Sequence, residues 1–301
     1  MRMCDAHCDT IMKIDENLSS DFSFEKASSC GGFLQIFACF TEDGEDSAYF
    51  AAFRKINRFL EYIKTKDNCY VAYTPKAAKK ITDNGGLAAF LSLENCACLG
   101  DDPENIYKFY NLGVRCITLT WNGSNSFASG CLEQGGLTAR GRELLRIAGK
   151  LGIIVDVSHL NERSFYDVLS EGSCKVFASH SSCAEINDNP RNLTDLQILK
   201  IYSHGGLVCA CPNPPFLNGS CTAGQEEYAR HIRHIMKLTD GMGVGIGSDC
   251  DGTENCCKGL RTTEDYLNFD CFLKENDFKN YEIQNIFSCN FERFFNISDK
   301  K

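Results

Sequence analysis

Carboxylates and imidazoles recur at the ends of short apolar runs in this 301-residue chain: Cys4-Asp5-Ala6-His7-Cys8-Asp9, Ser92-Leu93-Glu94, Val155-Asp156-Val157-Ser158-His159, Val176-Phe177-Ala178-Ser179-His180 and Gly247-Ser248-Asp249. Alternate residues on a strand share a face, so His7 and Asp9 can reach one ion, and imidazole with carboxylate is a ligand set suited to zinc and its neighbours. Six ligand-type side chains are too many for one four-coordinate zinc, whereas two ions can share them if a carboxylate bridges. The expected arrangement puts His7 and Asp9 on one Zn2+ ion, His159 and His180 on a second, and Glu94 between both. Two ions about 3.5–4 Å apart would hold a bridging water as hydroxide, because metal binding lowers its pKa toward about 7. Asp249 then takes the proton from the attacking water and hands it to the leaving amine. A lone Asp at a strand end reads as a helix N-cap, and the company of five other ligand-type residues reverses that reading.

Arg191, in Asn189-Pro190-Arg191-Asn192, follows His180 by eleven residues and could set a bidentate guanidinium over the same place. From spacing alone, a loop arginine is more often simply solvated. His204 at a helix end, and His231 and His234 three apart on a helix, read as structural. No GxSxG elbow accompanies the serines, so acyl-enzyme chemistry is not indicated. Gly245-Ile246-Gly247 lacks the helix-opening glycine of a dinucleotide fingerprint, and Asn122-Gly123-Ser124 is a glycosylation acceptor only in a secreted protein.

For these residues to meet, separate strands must deliver them to one place. Apolar runs bounded by polar residues or glycine predict eight strands, near 4–9, 33–40, 88–94, 115–121, 152–158, 175–180, 206–211 and 243–249. Between them lie segments of helical period. One carries Tyr49, Phe50, Phe53, Ile56, Phe59, Leu60 and Ile63, another Leu144, Leu145, Ala148 and Leu151, and a third Leu196, Leu199 and Tyr202. Glycines such as Gly113 and Gly152 close helices just before strands. The alternation predicts a (β/α)8 TIM-type barrel, one domain over 1–301, in which strand C-terminal ends converge on one mouth. The connections 121–138, 212–225 and 250–265 would wall that mouth.

The formal charge of -9, from 31 basic and 40 acidic residues without a Lys/Arg-rich run, excludes nucleic acid as an expected partner. Nineteen cysteines, odd in number, scattered and without a CxxC pair, read as reduced thiols rather than a disulfide frame or zinc ribbon. The chain enters a candidate strand at Cys4, leaving no room for a signal peptide, and no apolar run approaches the roughly 20 residues that cross a bilayer. A cytoplasmic protein without membrane attachment is expected.

Six stretches in the same order resemble the membrane (renal) dipeptidase family, the zinc dipeptidases of peptidase family M19. They are Asp5-Ala6-His7-Cys8-Asp9, Ser92-Leu93-Glu94, Gly113-Val114-Arg115-Cys116-Ile117-Thr118-Leu119-Thr120, Asp156-Val157-Ser158-His159, Ser179-His180-Ser181-Ser182 with Arg191-Asn192, and Gly247-Ser248-Asp249-Cys250-Asp251-Gly252. The resemblance implies a binuclear zinc barrel that hydrolyses dipeptides, with His7, Asp9, Glu94, His159 and His180 matching the metal ligands, Asp249 the acid/base and Arg191 the grip on the dipeptide's free carboxylate. The family often forms dimers, so the resemblance leaves a homodimer open, although no patch in the sequence marks one. Two positions depart from the pattern. Animal members carry a substrate-binding histidine at the end of the fourth strand, where this chain has Trp121, its only tryptophan. In the loop Pro212-Asn213-Pro214-Pro215-Phe216-Leu217, Phe216 stands in for a tyrosine. Two alternatives stay open: a hydrolase of another small amide or lactam, since a metal-held hydroxide attacks any carbonyl, and, because of Trp121, a metal-binding barrel without catalysis.

Overall fold

The structure, a computed structural model, describes residues 2–42 and 47–297. All eight expected strands form, as β1 (Met3–Cys8), β2 (Phe33–Phe40), β4 (Leu87–Glu94), β5 (Val114–Thr118), β6 (Ile154–Asp156), β7 (Val176–Phe177), β8 (Val208–Ala210) and β9 (Val244–Ile246). They lie parallel in the order β7-β6-β5-β4-β2-β1-β9-β8. Ala178, just past β7, pairs with Val208 of β8 and gives its N–H to the Leu207 carbonyl at 2.9 Å, which closes the sheet on itself. With helices outside the strands, this is a (β/α)8 barrel.

A ninth strand, β3 (Cys69–Val71), was not expected. It pairs with the first half of β4, Cys69 opposite Leu87 and Val71 opposite Ala89, below the point where β5 joins at Leu91. Three residues carry no readable period. The last strands are also shorter than expected, because the chain leaves the ladder near His159 and His180 to enter the mouth.

The barrel has two apolar layers. Inside, Cys4, Ala6, Leu34, Ile36, Ala88, Phe90 and Cys116 pack together, and Phe291, Phe294, Phe295 and Ile297 from the C-terminal helix and its exit close the end opposite the mouth. Phe295 stacks on Phe90 with centroids 5.6 Å apart, and Phe294 lies 5.5 Å from Phe177. Outside, Ile56, Phe59 and Ile63 of the helix Ala48–Ile63 are buried against the strands, each worth about 1.5–3 kcal/mol. Two stripes read from sequence need correction. Phe50 is 72% exposed, and Leu196 and Leu199 point outward while Ile198 and Ile201 carry the buried face of their helix. Phe50 extends an apolar run past the arc that meets the sheet, whereas Leu196 and Leu199 mark the wrong arc of their helix.

Gly113 and Gly152 close their helices with φ of 115° and 70°, as expected. Among the described residues, no helix is long and apolar enough to cross a membrane. The three histidines read as structural are placed as such. His204 caps a helix end, its Nδ1 2.7 Å from the Lys200 carbonyl, and His234 pairs with Asp195 at 2.6 Å. His231 is fully buried, accepting the Cys183 N–H at Nδ1 and donating from Nε2 to the Leu217 carbonyl at 2.9 Å.

Burial holds His231 down at about 4, and the Arg230 and His234 charges oppose its protonation too. The unfolded chain therefore takes up this proton first, and stability falls as pH drops from about 6.5 toward 4. In His231→Gln, whose amide can make both hydrogen bonds without titrating, this acid loss should shrink by on the order of 2 kcal/mol, read from urea unfolding at pH 7 and pH 4.5.

Candidate metal centre

A one-residue bulge in β1 aims the first two ligand-type residues. Asp5 pairs with Gln35 of β2, yet Cys8 pairs with Phe37, so β1 carries one extra residue between them. Cys4 and Ala6 face the barrel interior below the bulge, and after the parity change His7 and Asp9 face it above. Glu94 ends β4, His159 follows β6 by three residues in the left-handed region (φ 70°), and His180 follows β7 by three. Asp249, also left-handed with φ 54°, gives its backbone N–H to the His7 carbonyl at 3.1 Å.

The structure brings all six together at the mouth. Glu94 is central: one carboxylate oxygen lies 3.0 Å from His159 Nε2 and 3.8 Å from His180 Nε2, the other 3.3 Å from His7 Nε2. His7 Nε2 stands 3.4 Å from Asp9 Oδ2, and the Nε2 atoms of His159 and His180 are 2.8 Å apart. Ligand atoms cluster in two main groups, Glu94 with His159 and His180, and His7 with Asp9 and Asp249; a third joins Asp156 to His7 and His180. His7 thus groups with Asp9 and His159 with His180, while Glu94 falls with the second pair and Asp249 with the first.

These residues fit cations. His7 Nε2 and Asp9 Oδ1 are buried yet make no hydrogen bond, although carboxylate oxygens stand beside the imidazole. A buried polar atom without a partner costs about 1–3 kcal/mol unless something else satisfies it. Burial, then the Glu94 charge, pushes the Asp9 carboxyl up to about 8, and burial raises Asp249 as well. Burial opposes charge on Glu94 too, but the facing His7 and His159 hold it well below the usual range. His159, lowered to about 4 by burial and then by Arg191, is a neutral ligand-type imidazole at pH 7.

The outer row came from structure rather than from sequence reasoning. His159 Nδ1 meets Asn122 Oδ1 at 2.8 Å, and Ser179 Oγ meets His180 Nδ1 at 2.7 Å. Asp156 accepts from Ser179 Oγ, and Asp5 accepts from Ser248 Oγ at 2.6 Å, so an aspartate braces the serine that precedes each of two site residues, His180 and Asp249. The doublets Ser179-His180 and Ser248-Asp249 were the available signal.

Above the six residues opens a cavity of about 370 Å3, bounded by Phe40, Trp121, Arg191, Asn213 and Phe216, with Met12, Lys13 and Glu16 on its rim. The helix Thr10–Glu16 was not anticipated as a wall; the three loops after β5, β8 and β9 all contribute, as expected. Trp121 meets Phe40 edge-on at 5.3 Å. Arg191 is 8% exposed, holds the His180 carbonyl through Nη2 at 3.3 Å and lies 5.2 Å over the Phe216 ring. Gly252 presses on the site, where a Cβ would overlap Asp9 Oδ2 and Asp249 Oδ1.

A family model described as membrane dipeptidase (peptidase family M19) matches residues 1–300. Among curated relatives, the Schizosaccharomyces pombe protein named uncharacterized dipeptidase C965.12 is 31% identical over 245 residues, 78% of this chain and 57% of its own length. Dipeptidase verJ of Clonostachys rogersoniana is 27% identical over 231 residues, 74% of this chain and 58% of its own. The chain thus spans little more than half the length of these relatives. Among solved structures, a metallo peptidase from Rhodobacter sphaeroides, liganded with a phosphinate mimic of the dipeptide L-Ala-D-Ala, superposes with a TM-score of 0.91 at 20% identity, covering 98% of this chain and 99% of that one. The probable dipeptidase PvdM from Pseudomonas aeruginosa gives 0.84 at 19% identity, covering 98% and 94%. The structural likenesses establish the shared barrel.

Gly252→Ala should keep the fold yet weaken divalent-cation binding by about tenfold or more, because the new methyl displaces the Asp9 carboxylate. Competition titration against a chromophoric chelator, with circular dichroism as the folding control, checks this; parent-like affinity would contradict the placement of Asp9 at the ion.

Proposed function

The chain belongs to the membrane dipeptidase family, peptidase family M19, and from that premise we propose that it is a zinc-dependent dipeptidase whose barrel mouth cleaves the single peptide bond of a dipeptide. The observation that carries the reading is the convergence of His7, Asp9, Glu94, His159 and His180 around buried, unsatisfied ligand atoms, beneath a cavity holding one guanidinium. Two Zn2+ ions, one held by His7 and Asp9, the other by His159 and His180, with Glu94 between them, would supply a water nucleophilic at neutral pH and polarise the scissile carbonyl.

The remaining work falls to the protein. Asp249 borders the His7–Asp9 group, and burial keeps its carboxyl above the ordinary range, which suits a group that accepts the water's proton and returns it to the amine nitrogen of the leaving amino acid. Arg191 spends only Nη2 on a side-chain bond to protein among the described residues, so the rest of its fork is available to the substrate's terminal carboxylate. Phe216 beneath it braces the guanidinium plane. A peptide extended at its C-terminus would put an uncharged amide where Arg191 expects a carboxylate, and the cavity walls from the loops after β5, β8 and β9 would limit extension at the N-terminus. Trp121 and Phe40 form the opposite wall and exclude water; the indole offers one N–H and accepts no proton. All nineteen cysteines are free thiols, which supports a reducing location, the cytoplasm.

The zinc-loaded protein should release amino acids from dipeptides but not from a tripeptide, and a chelator should abolish the release. Asp249→Asn should retain both ions and lose at least about 10²-fold in kcat. Arg191→Met should raise KM far more than it lowers kcat. An Asp249→Asn variant as active as the parent would overturn the assigned proton transfer, and chelator-resistant cleavage would overturn the metal reading.

A further inference from the structure

One hydroxyl touches two of the three imidazoles. Ser179 Oγ donates to Asp156 Oδ2, and the same oxygen lies 2.7 Å from His180 Nδ1 and, more loosely, 3.4 Å from His7 Nδ1. A serine hydroxyl has one hydrogen and two lone pairs. With its hydrogen given to a carboxylate, the oxygen can only accept, so both Nδ1 atoms must carry protons. When the rings are neutral, as ion binding requires, both Nε2 atoms then present lone pairs, and these are the atoms that face Glu94, at 3.3 Å from His7 and 3.8 Å from His180.

Asp156 is itself immobilised. Its Oδ1 accepts the backbone N–H groups of Ser158 at 3.0 Å and Ser179 at 2.9 Å, and its Oδ2 also accepts from Thr118 Oγ1 at 3.1 Å. Residues 156 and 179 are 3% and 1% exposed, so water does not compete for these bonds. The third imidazole is set separately, by Asn122 Oδ1 against His159 Nδ1 at 2.8 Å.

We infer that Ser179, its proton held by Asp156, is a positioning residue that fixes the tautomers of one histidine from each of the two ion sites and thereby couples those sites through a single oxygen atom. The inference rests on the two-ion reading above. His7 stands with Asp9 and His180 with His159, so removing one hydroxyl loosens a ligand on both sides of Glu94, whereas removing the Asn122 amide loosens only His159. A serine that merely finished the turn after β7 would affect stability and leave both rings as they were.

The test is Zn2+ binding to the full chain by competition titration, together with 15N-resolved NMR of the histidine rings in the zinc-loaded protein. The parent should bind two ions and show three Nδ1–H signals protected from exchange. In Ser179→Ala, affinity at both sites should fall by about 10–100-fold, and the signals of His7 and His180 should vanish while that of His159 persists. Asp156→Asn should shift affinity in the same direction, because an amide can donate to Ser179 and release its hydrogen toward a ring; it serves where the alanine variant folds poorly. Parent-like affinity in both variants, weakening confined to one site, or three intact Nδ1–H signals in Ser179→Ala would each overturn the coupling. A parent whose histidine signals do not respond to Zn2+ would instead overturn the metal reading itself.

Discussion

Three carboxylates meeting three imidazoles inside a protein is an electrostatic problem before it is a catalytic one. Asp9, Glu94 and Asp249 approach one another where water is largely excluded, and such charges persist only with positive charge among them. In the protein's own chemistry that charge comes partly from His7, which the Glu94 and Asp9 carboxylates hold well above its usual range against the opposing effect of burial. Divalent ions meet the same demand more completely, and the ligand atoms left unsatisfied are the ones an ion would take. The cup is therefore better matched to bound cations than to side chains alone.

Much of the barrel can be understood as what that cup requires. Parallel strands present their C-terminal ends to one mouth, which lets residues 7 and 249 become neighbours, and closure through Ala178 and Val208 keeps β7 and β8 from opening beneath His180. The bulge in β1 rephases two side chains without disturbing the strand's start. Left-handed backbone at His159 and Asp249 is the local strain that turns these side chains inward, and surrounding hydrogen bonds hold it in place. Gly247 serves the same end, since a Cβ there would run into the Ser179 carbonyl oxygen.

The parts legible in the sequence were those with a repeated signal. Eight apolar runs ending in polar residues specified the strands, and the mouth followed from the fold rule that strand ends converge. Glu94 and His180 could be placed although nothing in their immediate neighbourhood says metal. What escaped had no period: β3 is three residues long, and the bulge is visible only as a pairing offset. The helix Thr10–Glu16 became a cavity wall because of where β1 points it. Leu196 and Leu199 were misread because apolar character alone does not say which arc of a helix meets the sheet. Asn122, Asp156 and Ser179 escaped for another reason. Their role lies in hydrogen bonds between segments, and no single segment reveals an acceptor on the neighbouring strand or loop.

At the far end of the barrel, Phe291, Phe294 and Phe295 fill the lumen and stack against Phe90 and Phe177. The barrel is thus a well rather than a tunnel. Whatever enters must leave through the opening it came in by, past Trp121 and Phe40 on one side and Phe216 on the other. For a reaction that makes two molecules from one, the fragment nearer the opening blocks the other's exit, so departure has an order imposed by geometry. High concentrations of the first-leaving fragment would then refill the neck and hold back its sibling, making traffic through a single doorway part of any such turnover.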